Sequence, residues 1–231
     1  MLSSPPLPRP DRIRASALVL RTGAACAALF LALLALVASR WSPLMSLDRT
    51  VADALHRRAV TEPGLVHVNR VLTDWLWDPW TMRALITVAV VALWWRGARS
   101  LAVWVAAASV LSSLLQQGIK AAVDRERPQW PDPVDSAHYA AFPSGHAMTA
   151  TVSCGLLLWL LHRHGAGPRM WRTALAAAWV SVLGVGITRL YLGVHWPSDV
   201  LGGWLLGAAL VAFTVAGFER HEARDRPSRK V

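Results

Sequence analysis

Residues 172–192 read RTALAAAWVSVLGVGITRLYL, and no charged side chain occurs between Arg172 and Arg189. A run of about 20 predominantly apolar residues is long enough to cross the hydrocarbon core of a bilayer as a helix. Further runs of similar length, the second of them short, lie at 17–39, 82–97, 100–119, 146–163 and 200–218. The pattern therefore predicts an all-α fold, a six-span transmembrane helical bundle.

The composition of the whole chain agrees with a membrane protein. Of the 231 residues, 54% are hydrophobic and 16% are charged, whereas a soluble domain carries about 25% charged residues. The thirteen Trp residues also suit a membrane protein, because Trp is favoured at the boundary between hydrocarbon and headgroups. Cys26 and Cys154 each lie within an apolar stretch, so neither a disulfide framework nor a cysteine metal site is predicted.

The net charge of +10 is explained by membrane topology. A nucleic-acid partner is not expected, because no basic run alternates with aromatic residues on a soluble module. Cytoplasmic segments of membrane proteins are enriched in Lys and Arg. If the N-terminus is inside, the cytoplasmic segments hold 14 of the 24 basic residues: Arg9, Arg12, Arg14, Arg21, Arg96, Arg99, Arg163, Arg169, Arg172, Arg220, Arg224, Arg226, Arg229 and Lys230. This bias predicts cytoplasmic N- and C-termini.

The spans divide the chain into three parts. Residues 1–16 are predicted to be a cytoplasmic N-terminal tail, 17–218 the membrane domain, and 219–231 a polar, disordered C-terminal tail. The first span, 17–39, is interpreted as a retained anchor rather than a signal peptide. Its apolar core is long for a signal sequence and no clear A-x-A cleavage site follows it.

The segments between the spans are uneven. Residues 41–81 are long and mixed, and 46–60 have helical periodicity, so this helix is predicted to lie on the membrane surface and to shape access to the site. Residues 96–99 and 164–171 are predicted turns. Residues 129–142 are rich in Pro and Asp and are predicted to form a loop.

Ionisable residues cluster at the ends of four spans, where burial makes them functional candidates. The third and fifth spans end, and the fourth and sixth begin, on one face of the membrane, and with the N-terminus inside this face is extracytoplasmic. Three cations lie there, Lys120, Arg127 and Arg189. Arg matches phosphate with its planar fork and Lys adds a point charge. The set therefore predicts an anion site.

The turn that opens the fourth span supports a phosphate ligand. Pro143 is followed by Ser144, Gly145 and His146. Free amides and the helix dipole at such an N-terminus favour phosphate. Ser144 can cap the helix or donate to phosphate, and Gly145 allows close backbone approach.

Two histidines are predicted to share the chemistry. His195 and Asp199 are four residues apart, so on a helical turn they share one face. A carboxylate on one imidazole nitrogen fixes the tautomer and leaves the other nitrogen free to attack. His146 is the predicted general acid for the leaving oxygen and then the base for water. The cations would stabilise the transferring phosphoryl group, so no metal or other cofactor is expected.

Together these residues resemble the three-part signature of the type-2 phosphatidic acid phosphatase superfamily, in its membrane lipid phosphate phosphatase branch. The three parts are Lys120-x6-Arg127-Pro128, Pro143-Ser144-Gly145-His146 and Arg189-x5-His195-x3-Asp199. The resemblance implies a helical catalytic core, metal-independent hydrolysis and a phosphohistidine intermediate. It implies His195 as nucleophile with Asp199 as its partner, His146 as acid, and as phosphate ligands Lys120, Arg127, Ser144, Gly145 and Arg189.

The pattern departs from the family at one position, where Thr188 replaces the usual Ser before Arg189. Thr keeps a hydroxyl, so the position is expected to serve as a minor phosphate or structural contact. Asp124 and Glu126 are expected to pair with nearby Arg without taking part in chemistry. The remaining histidines are expected to be loop or headgroup residues: His56, His67, His138, His162, His164 and His221.

The function indicated is a lipid phosphate phosphatase whose partners are a lipid phosphate and the bilayer. Candidate substrates are undecaprenyl pyrophosphate, phosphatidic acid, phosphatidylglycerol phosphate and diacylglycerol pyrophosphate. Two alternatives stay open. A phosphotransferase would use the same intermediate with an alcohol as acceptor. A non-catalytic lipid-phosphate binder or transporter would explain the cations but not the pairing of His195 with Asp199.

Overall fold

The structure is a computed structural model that describes the backbone of residues 9–225 and the side chains of residues 16–224. This part of the chain is all-helical, as predicted, and contains no β-strand. Its elements are α1 (Arg9–Ala38), α2 (Ser42–Thr61), α3 (Pro63–Val71), a π-helical segment (Leu72–Leu76), α4 (Pro79–Trp95), α5 (Arg99–Val123), α6 (Gly145–Arg163), α7 (Pro168–Tyr191) and α8 (Pro197–Asp225).

Local sequence signals account for where the helices begin and end. Proline occupies the first turn of α3, α4 and α7, where its missing N–H costs no hydrogen bond. The carboxylate of Asp78 caps α4 by accepting from the backbone N–H of Trp80 at 2.6 Å. Helix α5 ends at Val123, and the residue after it, Asp124, adopts the left-handed conformation with φ of 43°, which commonly terminates helices. The predicted turns are confirmed at 96–98 and 164–167, and 124–144 form the irregular loop.

Helix α6 lies at the centre of the bundle, in contact with α4, α5, α7 and α8, while α1 packs along α8. The ends of α5 and α7 meet the starts of α6 and α8, as predicted. One link between these ends is a backbone hydrogen bond of 2.9 Å from Ser144, before α6, to Asp199, in the first turn of α8. The site-bearing ends therefore form one layer, called here the site end of the bundle.

Hydropathy and length identify five candidate membrane spans within the described residues: 16–38, 63–95, 99–123, 168–191 and 197–224. Helix α6 is absent from this set, although α7 begins where α6 ends and returns to the site end. Helix α6 must therefore traverse the same thickness, and its 19 residues correspond to about 28 Å at 1.5 Å per residue. Its neighbours shield it from lipid, so it can carry small polar residues. Hydropathy alone thus gives five spans, and the sixth is α6, which connects the two ends of the bundle.

Residues 41–81 are more ordered than their mixed composition indicates, and their second half belongs to the candidate span 63–95. Helix α2 confirms the predicted helix, and its inward face buries Asp48, Ala52, His56 and Ala59. The prediction that His56 is a loop or headgroup residue is wrong, because its side chain is 8% exposed and stacks on Trp130 at 4.1 Å between ring centroids. Helix α3 and the π-helical segment follow at the same end of the bundle.

The polar tail predicted at 219–231 is helical in its first part, because α8 continues to Asp225. Arg163, at the end of α6, pairs with Glu222 at 2.5 Å, and His221 stacks on Trp104. These contacts extend the helix beyond its apolar stretch. Residues 226–231 lie outside the described part. At the other end, α1 begins at Arg9, within the predicted tail 1–16, and residues 1–8 lie outside the described part.

Candidate active site

His195 and Asp199 form a buried pair at the site end of α8. His195 lies just before the helix and Asp199 in its first turn, so the i, i+4 spacing brings His195 Nδ1 to 3.2 Å from Asp199 Oδ2. The same carboxylate oxygen accepts the backbone N–H of Trp196 at 2.8 Å, which holds it in place. A carboxylate only accepts hydrogen bonds, so Nδ1 carries the proton and Nε2 has the free electron pair.

Arg127 lies beside that unprotonated nitrogen. Its Nη1 is 3.2 Å from His195 Nε2 and, because an Arg nitrogen only donates, Nε2 accepts this hydrogen bond; Nη1 also donates to the carbonyl of Val194 at 2.6 Å. Its other nitrogens donate to the carbonyls of Tyr139 at 2.8 Å and His138 at 3.1 Å. The 124–144 loop thus holds the guanidinium against the His195 ring by neutral oxygens, and among the described side chains no carboxylate forms a salt bridge with it.

Lys120 and Arg189 complete the cationic group. Lys120 is buried at the end of α5 and donates to the carbonyl of Ala140. Arg189 is 4% exposed in the last turn of α7. Within residues 16–224, Arg189 has no salt bridge, and its Nε is buried without a hydrogen-bond partner. A buried guanidinium without a partner carries a large desolvation cost that a bound anion would offset.

The start of α6 faces these cations. Ser144 precedes the helix, and its Oγ is buried without a hydrogen-bond partner among the described residues. Gly145 lies against Gln116 of α5, and a Cβ on it would lie 2.5 Å from Gln116 Nε2, so only glycine fits there without displacing that amide. His146 follows, and the titratable side chains that act on it are Arg189, His195, Arg127 and Lys120.

The electrostatics favour a neutral His195 and a charged Arg127. Burial, and then the positive charges of Arg127, Arg189 and Lys120, hold the pKa of His195 well below its usual range. Its imidazole is therefore neutral at pH 7 and its Nε2 can attack. Burial and the neighbouring Arg189 lower the pKa of Arg127 to about 10, so this side chain is still protonated at pH 7.

The structure brings all eight predicted site residues to one end of the bundle. The four helix ends, of α5, α6, α7 and α8, and the 124–144 loop surround a single locus next to His195 Nε2. Thr188 is buried and donates to the carbonyl of Val185 at 2.8 Å, which is a structural contact within α7. Between positions 9 and 225, no group of three or more His, Cys, Asp or Glu side chains is arranged to hold a metal ion.

Two charged residues next to Asp199 were not predicted. Arg125 donates to Asp199 Oδ1 at 2.6 Å and to Asp48 Oδ2 at 2.7 Å. The expectation that Asp124 and Glu126 pair with a nearby Arg is wrong, since among the described side chains neither forms a salt bridge. Arg125 instead points into the bundle. In the sequence, the one indication that Asp48 is buried is its spacing of four and eight residues from Ala52 and His56, which places all three on one face of the helix.

This chain matches a protein family and a solved structure. Residues 98–222 match the family model described as the PAP2 superfamily. A crystal structure of a transmembrane PAP2-type phosphatidylglycerolphosphate phosphatase from Bacillus subtilis superposes with a TM-score of 0.76 and 27% identity, covering 89% of this chain and 99% of that chain.

Two curated relatives are similar in sequence. Phosphatidylglycerophosphatase B of Bacillus subtilis is 36% identical over 115 residues, which is 49% of this chain and 55% of that protein. Decaprenylphosphoryl-5-phosphoribose phosphatase of Mycobacterium tuberculosis is 38% identical over 112 residues, or 47% of this chain and 56% of that protein. The chain thus spans about half the length of these curated relatives.

Proposed function

Since the chain belongs to the PAP2 superfamily, we propose that it is a membrane enzyme that hydrolyses a phosphomonoester or pyrophosphate of a lipid through a phosphohistidine intermediate. The relatives named above are phosphatases of lipid-linked phosphates, which supports this class. The observation that carries the proposal is the unprotonated Nε2 of His195 beside three cations, of which Arg189 is buried without a partner among the described residues.

The first step transfers the phosphoryl group to the enzyme. His195 Nε2 attacks phosphorus, an N–P bond forms, and the bond from phosphorus to the leaving oxygen breaks. The negative charge of the bound phosphate offsets the surrounding cations and allows His146 to be protonated, and His146 donates this proton to that oxygen. Lys120, Arg127 and Arg189 stabilise the charge on the phosphoryl oxygens in the transition state, and Asp199 stabilises the positive charge that develops on the His195 ring.

The second step releases phosphate. His146, now unprotonated, takes a proton from water, whose oxygen attacks phosphorus. The N–P bond breaks, its electrons return to Nε2, and inorganic phosphate leaves. The three cations and the helix dipole of α6 supply the charge stabilisation that a metal ion would provide elsewhere, so no metal is required.

The setting of the site supports a lipid substrate. The reacting residues lie where four apolar helices begin or end, the depth at which a lipid headgroup meets water. We place this end outside the cell, with both termini cytoplasmic, on the basis of the distribution of basic residues. The substrate is a phosphatidylglycerol phosphate, phosphatidic acid or polyprenyl phosphate or pyrophosphate, since the cations recognise the phosphoryl group common to all of these.

The test measures phosphate released from these lipids by detergent-purified protein in the presence of a chelator. We expect release by the wild type, and its loss in His195→Ala and His146→Ala. His162→Ala is the matched control, because His162 lies exposed at the far end of the same helix as His146. Full activity in His195→Ala would refute the mechanism, and binding without release from any lipid would favour a non-catalytic binder. Phosphate appearing on an added alcohol would favour transfer.

A further inference from the structure

A second layer of buried charge lies behind the His195–Asp199 pair. Arg125 Nη1 donates to Asp199 Oδ1 at 2.6 Å, and Arg125 Nη2 donates to Asp48 Oδ2 at 2.7 Å. Asp199 presents its other oxygen, Oδ2, to His195. The order of contacts is therefore Asp48, Arg125, Asp199, His195, with Asp48 farthest from the reacting nitrogen.

Asp48 is locked in this position by α8 itself. Its Oδ1 accepts the backbone N–H of Ser198 at 2.9 Å, and its Oδ2 accepts the Ser198 hydroxyl at 2.5 Å. Asp48 is 1% exposed and lies on α2, outside the 98–222 segment that matches the family. Helix α2 thus contributes a carboxylate to the first turn of the helix that carries Asp199.

The charges of this layer matter for the reaction. Before attack, His195 is neutral, Asp199 and Asp48 are negative and Arg125 is positive, so the four groups carry one net negative charge. When the N–P bond forms, the ring becomes positive and the four groups become neutral. Without Asp48, Arg125 would already neutralise Asp199, and the phosphorylated ring would be an uncompensated buried cation, which is costly.

We propose that Asp48 and Arg125 are positioning residues, which hold Asp199 in place and keep one negative charge available to the imidazolium of phosphorylated His195. This rests on the proposed function. Arg125 orients the Asp199 carboxylate through a short charged hydrogen bond. Asp48 compensates Arg125, so that orientation is obtained without loss of the negative charge on Asp199.

Several other titratable and charged groups face His195, and they must stay unchanged when variants of Asp48 are compared with the wild type. The loop contributes Arg125 and Arg127. The helices contribute Lys120 from α5, His146 from α6, Arg189 from α7 and Asp199 from α8. Asp48 is the charge contributed by α2, and no phosphate contact is assigned to it. A change at Asp48 therefore alters the charge behind the ring without altering the phosphate ligands.

The kinetic test uses Asp48→Asn. We expect kcat to fall by about tenfold, the factor that corresponds to one pKa unit. The KM and the inhibition constant of inorganic phosphate should change little, since the cations remain. Asp53→Asn is the matched control on the same helix, because Asp53 has no salt bridge among the described residues, and it should keep wild-type kcat. Ser198→Ala removes only the hydroxyl, which donates to Asp48 and accepts from Arg125, while its backbone N–H still reaches Asp48; it removes no charge and should cost less than Asp48→Asn.

A second variant distinguishes an effect of charge on kcat from an effect on folding. Asp48→Asn with Arg125→Gln removes both extra charges and returns the single negative charge of Asp199 to the ring. The double variant should recover much of the kcat lost in Asp48→Asn. If it is no faster than the single variant, and thermal stability falls in step with activity, the link is structural only and the proposal is overturned.

The protonation of His195 gives a readout that needs no turnover. In protein labelled with ¹⁵N-histidine, the His195 ring should titrate at lower pH in Asp48→Asn and at higher pH in Arg125→Gln than in the wild type. Shifts of the same sign, or none, would overturn the proposal even if Asp48→Asn is poorly folded. If the wild type releases no phosphate from any lipid, the proposed function fails, while these opposite shifts still decide the charge coupling.

Discussion

Replacing Arg189 with Met is expected to stabilise the protein in phosphate-free buffer while weakening phosphate binding. The side chain is 4% exposed and its Nε has no hydrogen-bond partner among the described residues. The penalty for burying an ion amounts to several kcal/mol in real proteins, and the nearest acids act on Arg189 only through space. Met has a similar length and no charge, so it avoids this cost.

The expected change in stability depends on the cost of burying the Arg189 charge and on how far nearby acids offset it. Because acids partly compensate Arg189, we expect the free energy of unfolding to rise by about 1–3 kcal/mol. In a protein of this size, each kcal/mol shifts the unfolding temperature by roughly 2–4 °C. Phosphate at 100 times its Kd should raise the free energy of unfolding of the wild type by about 2.7 kcal/mol, and its unfolding temperature with it. Both should rise much less in Arg189→Met.

Tryptophan fluorescence during heating in detergent, with and without phosphate, measures both effects. Arg169→Met is the matched control, because Arg169 is exposed in the first turn of the same helix and should change stability by less than about 0.5 kcal/mol. An Arg189→Met protein that unfolds at a lower temperature than the wild type without phosphate would refute the reasoning, since Arg189 would then make favourable interactions of its own.

Three further outcomes are expected. Gly145→Ala should lower the free energy of unfolding by about 1–3 kcal/mol and reduce phosphate release, because the added Cβ meets the Gln116 amide. Adding Gln116→Ala should restore both stability and phosphate release. If neither is restored, the contact with Gln116 is not the cause. When kcat/KM is measured as a function of pH, its plateau should extend below pH 6.5, because burial and the nearby cations lower the pKa of His195 and keep its ring neutral there. Arg127→Gln should move the fall of kcat/KM on the acidic side to higher pH. If that fall does not move, the titration of His195 is not its origin. Phosphate release should be unchanged by EDTA, measured against a metal-dependent phosphatase treated in parallel.

The sequence allowed the site to be predicted where neighbouring residues carry the signal. The pairing of His195 with Asp199 follows from helical spacing, and the meeting of four helix ends follows from counting spans. Each of these inferences needs only local pattern and the thickness of a bilayer. The helices were predicted for the same reason, since long apolar runs leave few alternatives in a membrane.

The Asp48–Arg125 contact could not be predicted in this way. The two residues are 77 positions apart, and α2 shows only helical periodicity in sequence. Whether an amphipathic helix rests on lipid or folds back onto the bundle depends on tertiary packing. An acidic residue on the stripe shared with Ala52 and His56 was the one visible hint. His56 was misjudged for the same reason, because its partner Trp130 lies in a distant loop.

The central position of α6 has a consequence for how the protein is made. Helices α7 and α8 pack against α6 and follow it in the chain, so the packing around α6 is completed only after these two helices have been synthesised. His146 therefore acquires Arg189 and His195 as neighbours late in biosynthesis, and a chain cut off after α6 would lack both of them.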